Sequence, residues 1–156
     1  MSERSGRTLI VDPVRVAPVP WHNGLGATRE LASLHDDDGA LLWRISLASL
    51  SGDAAFSDFP GLDRLFVALG AVALEIDGER HVLDHRDQVR FAGTAAVCAH
   101  VPAPTQALNV MTRSGRARAS VTLRASSAPA PDADVTVDLG ADVADIRITP
   151  TALAPY

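Results

Sequence analysis

Apolar positions along the chain fall in short runs separated by glycine, proline and aspartate, and none keeps a helical period over a dozen residues. The clearest run is Leu41–Leu50. Its odd positions are Leu41, Trp43, Ile45 and Leu47, and its even positions include Arg44 and Ser46. That is the two-residue alternation of a strand carrying one polar stripe. Residues 62–69 and Val72–Ile76 predict two more strands, joined at Gly70-Ala71, and Asp77-Gly78 is a hairpin signal leading into His81-Val82-Leu83. Further strands are predicted at 88–92, 94–101, 119–124, 135–139 and 146–149. Leu9-Ile10-Val11 is a short apolar run ahead of a proline-rich stretch, Pro13 to Pro20. A helical turn or two is expected only near 28–34. Many short strands, with turns spaced roughly 8–12 residues apart, predict an all-β sandwich or barrel.

Composition narrows the chemistry. At 156 residues, 47% of them hydrophobic, the chain is the size of one domain able to bury its own core, so residues 1–156 are read as a single domain. Aromatics are only 4%, which leaves the core to Leu, Val, Ile and Ala. The net charge of −5 disfavours nucleic acid as a partner. All 14 basic residues are arginines, which removes Schiff-base chemistry and any lysine base, and makes arginine the side chain to hold an anion. The lone cysteine, Cys98, lies in an apolar stretch and is expected to be a buried small hydrophobe. The N-terminus lacks the apolar core of a signal peptide, and no apolar run approaches the roughly 18 residues that cross a bilayer. A cytoplasmic protein without a membrane partner is the expectation.

Most candidate motifs dissolve on inspection. Asn23-Gly24-Leu25-Gly26-Ala27-Thr28-Arg29-Glu30 has two glycines at dinucleotide-loop spacing, but Arg29 occupies the place of the third. The glycines are expected to serve a loop with positive φ, with Arg29 and Glu30 either an exposed ion pair or part of a pocket edge. His81 and His85, on a strand, would lie roughly 13 Å apart, too far to share a metal. No Gly-x-Ser-x-Gly elbow occurs. Arg113, Arg116, Arg118 and Arg124 read as a solvated strand face.

One run resists this treatment. Arg44 and Ser46 share a strand face that in a barrel is either solvent or lumen. Phe56-Ser57-Asp58-Phe59-Pro60-Gly61 follows, and Asp63-Arg64 opens the next strand. Asn109 and Met111 share a face in Leu108-Asn109-Val110-Met111, which ends at Arg113. Arg, Ser and Asn donors beside aromatic walls suit a small anionic or polar ligand. The competing reading has Arg64 pair with Asp63 or Asp58 and brace a corner.

These blocks, in this order, resemble the HutD/Ves family: Trp21-x-Asn23-Gly24-x-Gly26-x-Thr28-Arg29-Glu30, Trp43-Arg44-Ile45-Ser46-x-Ala48, Phe56-Ser57-x-Phe59-Pro60-Gly61-x-Asp63-Arg64 and Leu108-Asn109-Val110-Met111-x-Arg113. The resemblance implies a cupin-like double-stranded β-helix barrel that associates as a homodimer and lacks the histidine-rich metal motif of cupin enzymes. It also implies a regulator or sensor linked to histidine utilisation, binding a pathway intermediate such as formylglutamate. Three departures stand out. Leu25 replaces a third consecutive glycine, Ala107 replaces an aspartate two before Asn109, and the segment after Arg113 matches poorly.

The resulting expectation is an all-β, cupin-like barrel with no cofactor and no metal. Its pocket for a small polar or carboxylate ligand is formed by Arg44, Ser46, Ser57, Arg64 and Asn109, with Arg29 at the mouth. Phe56 and Trp43 exclude water or close the barrel. Two alternatives stay open: an isomerase or hydrolase of an acylated amino acid, which needs Glu30, Asp58, Asp63 or a histidine as base, and an interaction protein with a vestigial pocket.

Overall fold

A computed structural model describes residues 7–151. Strands β1 (Leu9–Val11), β2 (Val19–Pro20), β3 (Gly26–His35) and β4 (Leu41–Leu50) come first. They are followed by β5 (Ala54–Ala55), β6 (Leu62–Ala68), β7 (Val72–Ile76), β8 (Glu79–Leu83) and β9 (Gln88–Ala92). The last five are β10 (Val97–His100), β11 (Thr105–Arg113), β12 (Ala117–Arg124), β13 (Val135–Asp138) and β14 (Val143–Pro150). Among the described residues the only helical element is a 3-10 turn at Pro13–Arg15, whose first N–H groups are capped by the Asp12 carboxylate accepting from Val14 N.

Three sheets are layered. The middle one has six strands in the order β2-β3-β4-β11-β6-β9. On one face it packs against β5-β10-β7-β8, and on the other against β1-β13-β14-β12. Its long central strands are therefore covered on both sides. Ile45, Leu47, Leu65, Val67, Leu108 and Val110 point outward, to meet Val121, Val135, Val137 and Ile146. Leu50, Phe66, Ala68 and Ala107 point inward, to meet Val72, Leu74, Val97 and Ala99. The period-2 reading of Leu41–Leu50 holds, and it places Arg44 and Ser46 on the inward face, the lumen rather than solvent. Trp43, expected to close the barrel, packs instead against the outer core.

The segment 28–34 forms no helical turn. It belongs to β3, paired antiparallel to β4 from Gly26 onward. A register shift between Glu30 and Ala32 inserts Leu31 as an extra residue, and this bulge breaks the alternation that would have marked a strand. The Asp77-Gly78 hairpin is as expected: both residues have positive φ, 49° and 84°, the requirement of a tight two-residue turn. Cys98 is half-buried and free rather than fully buried. Arg124 is not part of a solvated basic face. Its Nε donates to Asp145 at 2.6 Å, and Thr136 Oγ1 donates to the same carboxylate at 2.8 Å.

Phe66 is fully buried on the inward face of the middle sheet, its ring 5.9 Å from that of Phe56. Truncation there leaves a cavity between two sheets that pair rigidly, so Phe66→Ala is expected to lower stability by about 3–5 kcal/mol in urea denaturation. Val82→Ala, at a position 71% exposed, is expected to change it by less than about 0.5 kcal/mol.

Candidate functional site

The inward face of the middle sheet carries two rows of side chains. In register, Arg44 on β4, Met111 on β11 and Arg64 on β6 lie side by side. One step along, Glu30 on β3, Ser46, Asn109 and Phe66 form the next row. These rows floor a cavity of about 490 Å³. Ala55, Phe56, Ser57 and Phe59, leading out of β5, wall one side, and Val19 to Asn23 wall another. The strand pleat thus brings Arg44, Ser46, Ser57, Arg64 and Asn109 together from four separate parts of the sequence.

Arg64 dominates the electrostatics. It is only 7% exposed, and its guanidinium carbon lies 5.0 Å from the ring centre of Phe56, 5.4 Å from that of Phe59 and 5.3 Å from that of Phe91. It makes two long hydrogen bonds: Nη1 donates to the Ser57 carbonyl at 3.4 Å and Nη2 to Asn109 Oδ1 at 3.3 Å. Nε has no hydrogen-bond partner among the described residues. Nor is any carboxylate of the described residues within ion-pair reach of this guanidinium. Asp63 accepts from Ser114 Oγ instead, and Asp58 is exposed, so the corner-bracing pair does not form. Burial pulls the group below the ordinary arginine value, to about 10, which leaves it charged at neutral pH.

Arg44 has a partner, but not through a well-formed hydrogen bond. Its Nε lies 2.6 Å from Glu30 Oε1, yet the N–H is not aimed at any acceptor. We read the contact as an ion pair on distance and charge; with Glu30 half exposed, its stabilising value is small. Ser46 is buried, and Asn109, whose Oδ1 faces Arg64, keeps its amide N–H groups for another acceptor. Ser57 contributes its carbonyl, and its side chain is at the exposed rim.

Arg29 is not at the mouth. The alternation that turns Thr28 and Glu30 into the cavity turns Arg29 away, and its Nε donates to the Val16 carbonyl at 2.9 Å. The expected Arg29–Glu30 pair is excluded for the same reason. Ala107, in the place of an expected aspartate, is fully buried between Ala48 and Ala68 on the inward face. The floor below Asn109 is therefore apolar.

Several wall residues had no role in the sequence-based pocket. Trp21 donates from Nε1 to Thr28 Oγ1 at 2.8 Å, and its ring lies over Gly26. A Cβ on Gly26 would sit 2.6 Å from the Ser49 carbonyl and 2.8 Å from the Trp21 ring, so this glycine is needed for close approach rather than for positive φ. Phe59 was visible in the Phe-Ser-x-Phe-Pro-Gly block, but Phe91 comes from β9 with no local signal. Among the described residues, no group of three or more His, Cys, Asp or Glu is arranged to hold a metal ion, and no helix is long and apolar enough to cross a membrane.

Comparison with known proteins places this architecture. Protein Ves of Citrobacter koseri is 37% identical over 114 residues, 69% of this chain and 60% of that protein. The chain thus spans about 60% of the length of this curated relative. HutD from Pseudomonas fluorescens SBW25, solved in a formate condition, superposes with a TM-score of 0.67 at 24% identity, over 74% of this chain and 65% of that one. An RmlC-like cupin from Shewanella frigidimarina gives a TM-score of 0.53 at 12% identity, over 65% and 86%. The fold is accordingly cupin-like. The HutD family model matches residues 14–148, so the likeness continues well past Arg113, further than the four sequence blocks reach. The chain belongs to the HutD family.

Proposed function

We propose that the cavity binds a small molecule through a carboxylate, with Arg64 as its counter-charge, and that the protein acts as a ligand-binding sensor or regulator. One observation carries this reading: a buried, charged guanidinium faces the cavity with no carboxylate of the described residues within ion-pair reach, the cavity's Glu30 being engaged by Arg44. A buried cation left unpaired is strongly destabilising, and an incoming carboxylate, held by the guanidinium fork and the Asn109 amide, would remove that penalty. Apolar walls from Trp21, Phe56, Phe59 and Met111 would take the ligand's carbon frame.

Binding without turnover is favoured by the state of the one cavity carboxylate. Glu30 lies 2.6 Å from Arg44, so its carboxylate is engaged as an ion-pair partner rather than free to reach a substrate proton. The cavity volume suits an amino-acid-sized acid. Formylglutamate is the candidate that a link to histidine utilisation singles out, and Arg64, Asn109, Ser46 and Arg44 are the residues proposed to hold it.

In a thermal-shift series with formylglutamate, urocanate and glutarate, at least one acid at about 100 times its Kd should stabilise the protein by about 2.7 kcal/mol. That corresponds to a rise in Tm of roughly 5–11 °C for a chain of this size. A series flat for every acid sinks the carboxylate reading. Arg64→Met should lose the shift while keeping the β-type circular dichroism.

The same variant tests the electrostatics without ligand. The folded-state value of about 10 lies below that of a free arginine, so charged Arg64 opposes folding at neutral pH, and the penalty fades as pH rises through about 10. That difference corresponds to about 3 kcal/mol. Arg64→Met, similar in length and apolar, should therefore raise the Tm of the ligand-free protein. A fall of several degrees would instead show that Arg64 braces the corner.

A further inference from the structure

At the opposite end of β5 from Arg64, one imidazole is held between two carboxylates. His100 ends β10. Its Nδ1 lies 3.1 Å from Asp53 Oδ2 and its Nε2 lies 3.0 Å from Glu75 Oε2. Ionised carboxylates only accept hydrogen bonds, so both contacts are satisfied only when both ring nitrogens carry a proton. In the neutral ring one nitrogen turns a lone pair toward a carboxylate oxygen, and one contact becomes repulsive.

Asp53 is where this charge meets the cavity. Its other oxygen accepts from the Val101 N–H at 3.2 Å. The next residues are β5, only two residues long and paired to β10 at Cys98 and Ala99. Phe56 follows, its N–H on the Val97 carbonyl at 2.9 Å and its ring over Arg64, and then Ser57, whose carbonyl accepts from Arg64. Only three residues of chain, Ala54 to Phe56, thus separate the imidazole's partner from a hydrogen-bond acceptor of the cavity arginine.

We propose that the Asp53–His100–Glu75 clamp is a pH-sensitive latch on the cavity wall: protonated His100 holds residues 53–57 against β10, and neutral His100 releases them. The charged surroundings agree. Asp53 faces the ring from the segment before β5 and Glu75 faces it from β7. Arg80 on β8 lies opposite Glu75 in the β7–β8 register, and Asp84 lines the same shallow hollow as Arg80, Asp53 and His100. Cys98 shares the strand face of His100. The two carboxylates in contact hold the imidazole above its ordinary value of 6.5, Asp53 having the larger effect and Glu75 the next. A raised folded-state value means the latch is fully closed below pH 6.5 and opens as pH rises through the folded-state value. It acts whichever ligand the cavity takes, because its output is the order of the backbone.

The test is amide hydrogen exchange by NMR between pH 5.5 and 8.5, corrected for intrinsic rates, with the His100 ring titrated in parallel. Protection of the Phe56 amide should fall about tenfold across His100 titration, while that of Leu108 in β11 stays constant. In His100→Gln the Phe56 amide should be independent of pH. A Phe56 amide indifferent to pH in the native protein, an identical response in His100→Gln, or an imidazole titrating below 6.5 each overturns the latch. If His100→Gln does not fold, Asp53→Asn decides: it should halve the response or more, and a native-like response overturns the proposal.

Discussion

A β-sheet covered on both faces has no solvent side on which to place polar residues. The six-stranded middle sheet is in that position along its central strands, of which β6 and β11 are mostly buried and β4 is buried or half-buried throughout. Such strands ordinarily read as near-continuous apolar runs. Here β4, β6 and β11 keep the apolar set on the outer face and interrupt the inner one with Arg44, Ser46, Arg64 and Asn109. Ser46, Arg64 and Asn109 are buried and Arg44 is only partly exposed, so the fold must open a cavity around them or bury them unpaired. The cavity, its aromatic walls and the position of the β5 segment all follow from this constraint.

The same constraint decides which parts of the structure were legible in the sequence. Strands with unbroken alternation, such as Leu41–Leu50, or bounded by sharp turn residues, such as Val72–Ile76 and Gln88–Ala92, were read with their ends in place. β3 was not, because the bulge at Leu31 scrambles its period. Alternation also gives only two faces without saying which is inward for a neighbouring strand. Glu30 and Arg29 are adjacent in sequence, and choosing between them needs the β3–β4 register, which a single sequence does not carry. Trp43 illustrates the converse: a large aromatic beside a pocket arginine faces the outer core, because the third sheet that covers it is built from the C-terminal strands. Phe91 reaches Arg64 through the β6–β9 pairing, a contact between residues 27 positions apart with no shared motif.

Family membership constrains the fold more tightly than the ligand. The HutD match extends over both the cavity-forming strands and the outer sheet. Below Asn109, Ala48 lines the cavity, and Ala107 and Ala68 continue its row into the buried core. No carboxylate stands in this row. A relative with an acidic side chain there would present a different charge to the same ligand. Ligand preference therefore has to be read from the residues of this chain rather than carried over from the family.

The aromatic surroundings of Arg64 explain why an arginine can occupy so buried a place. A lysine ammonium is compact and strongly hydrated, whereas a guanidinium is planar, more weakly hydrated and able to stack on ring faces. Three phenylalanine rings within 5.4 Å replace part of the lost hydration without neutralising the charge. A carboxylate of the chain itself at that position would satisfy the arginine and close it to anything else. Rings stabilise the cation only in part, and they leave its hydrogen-bonding edge with two long bonds and Nε unmet. The arrangement keeps Arg64 charged, fixed in direction and under-satisfied, which is the state a binding group needs before its ligand arrives.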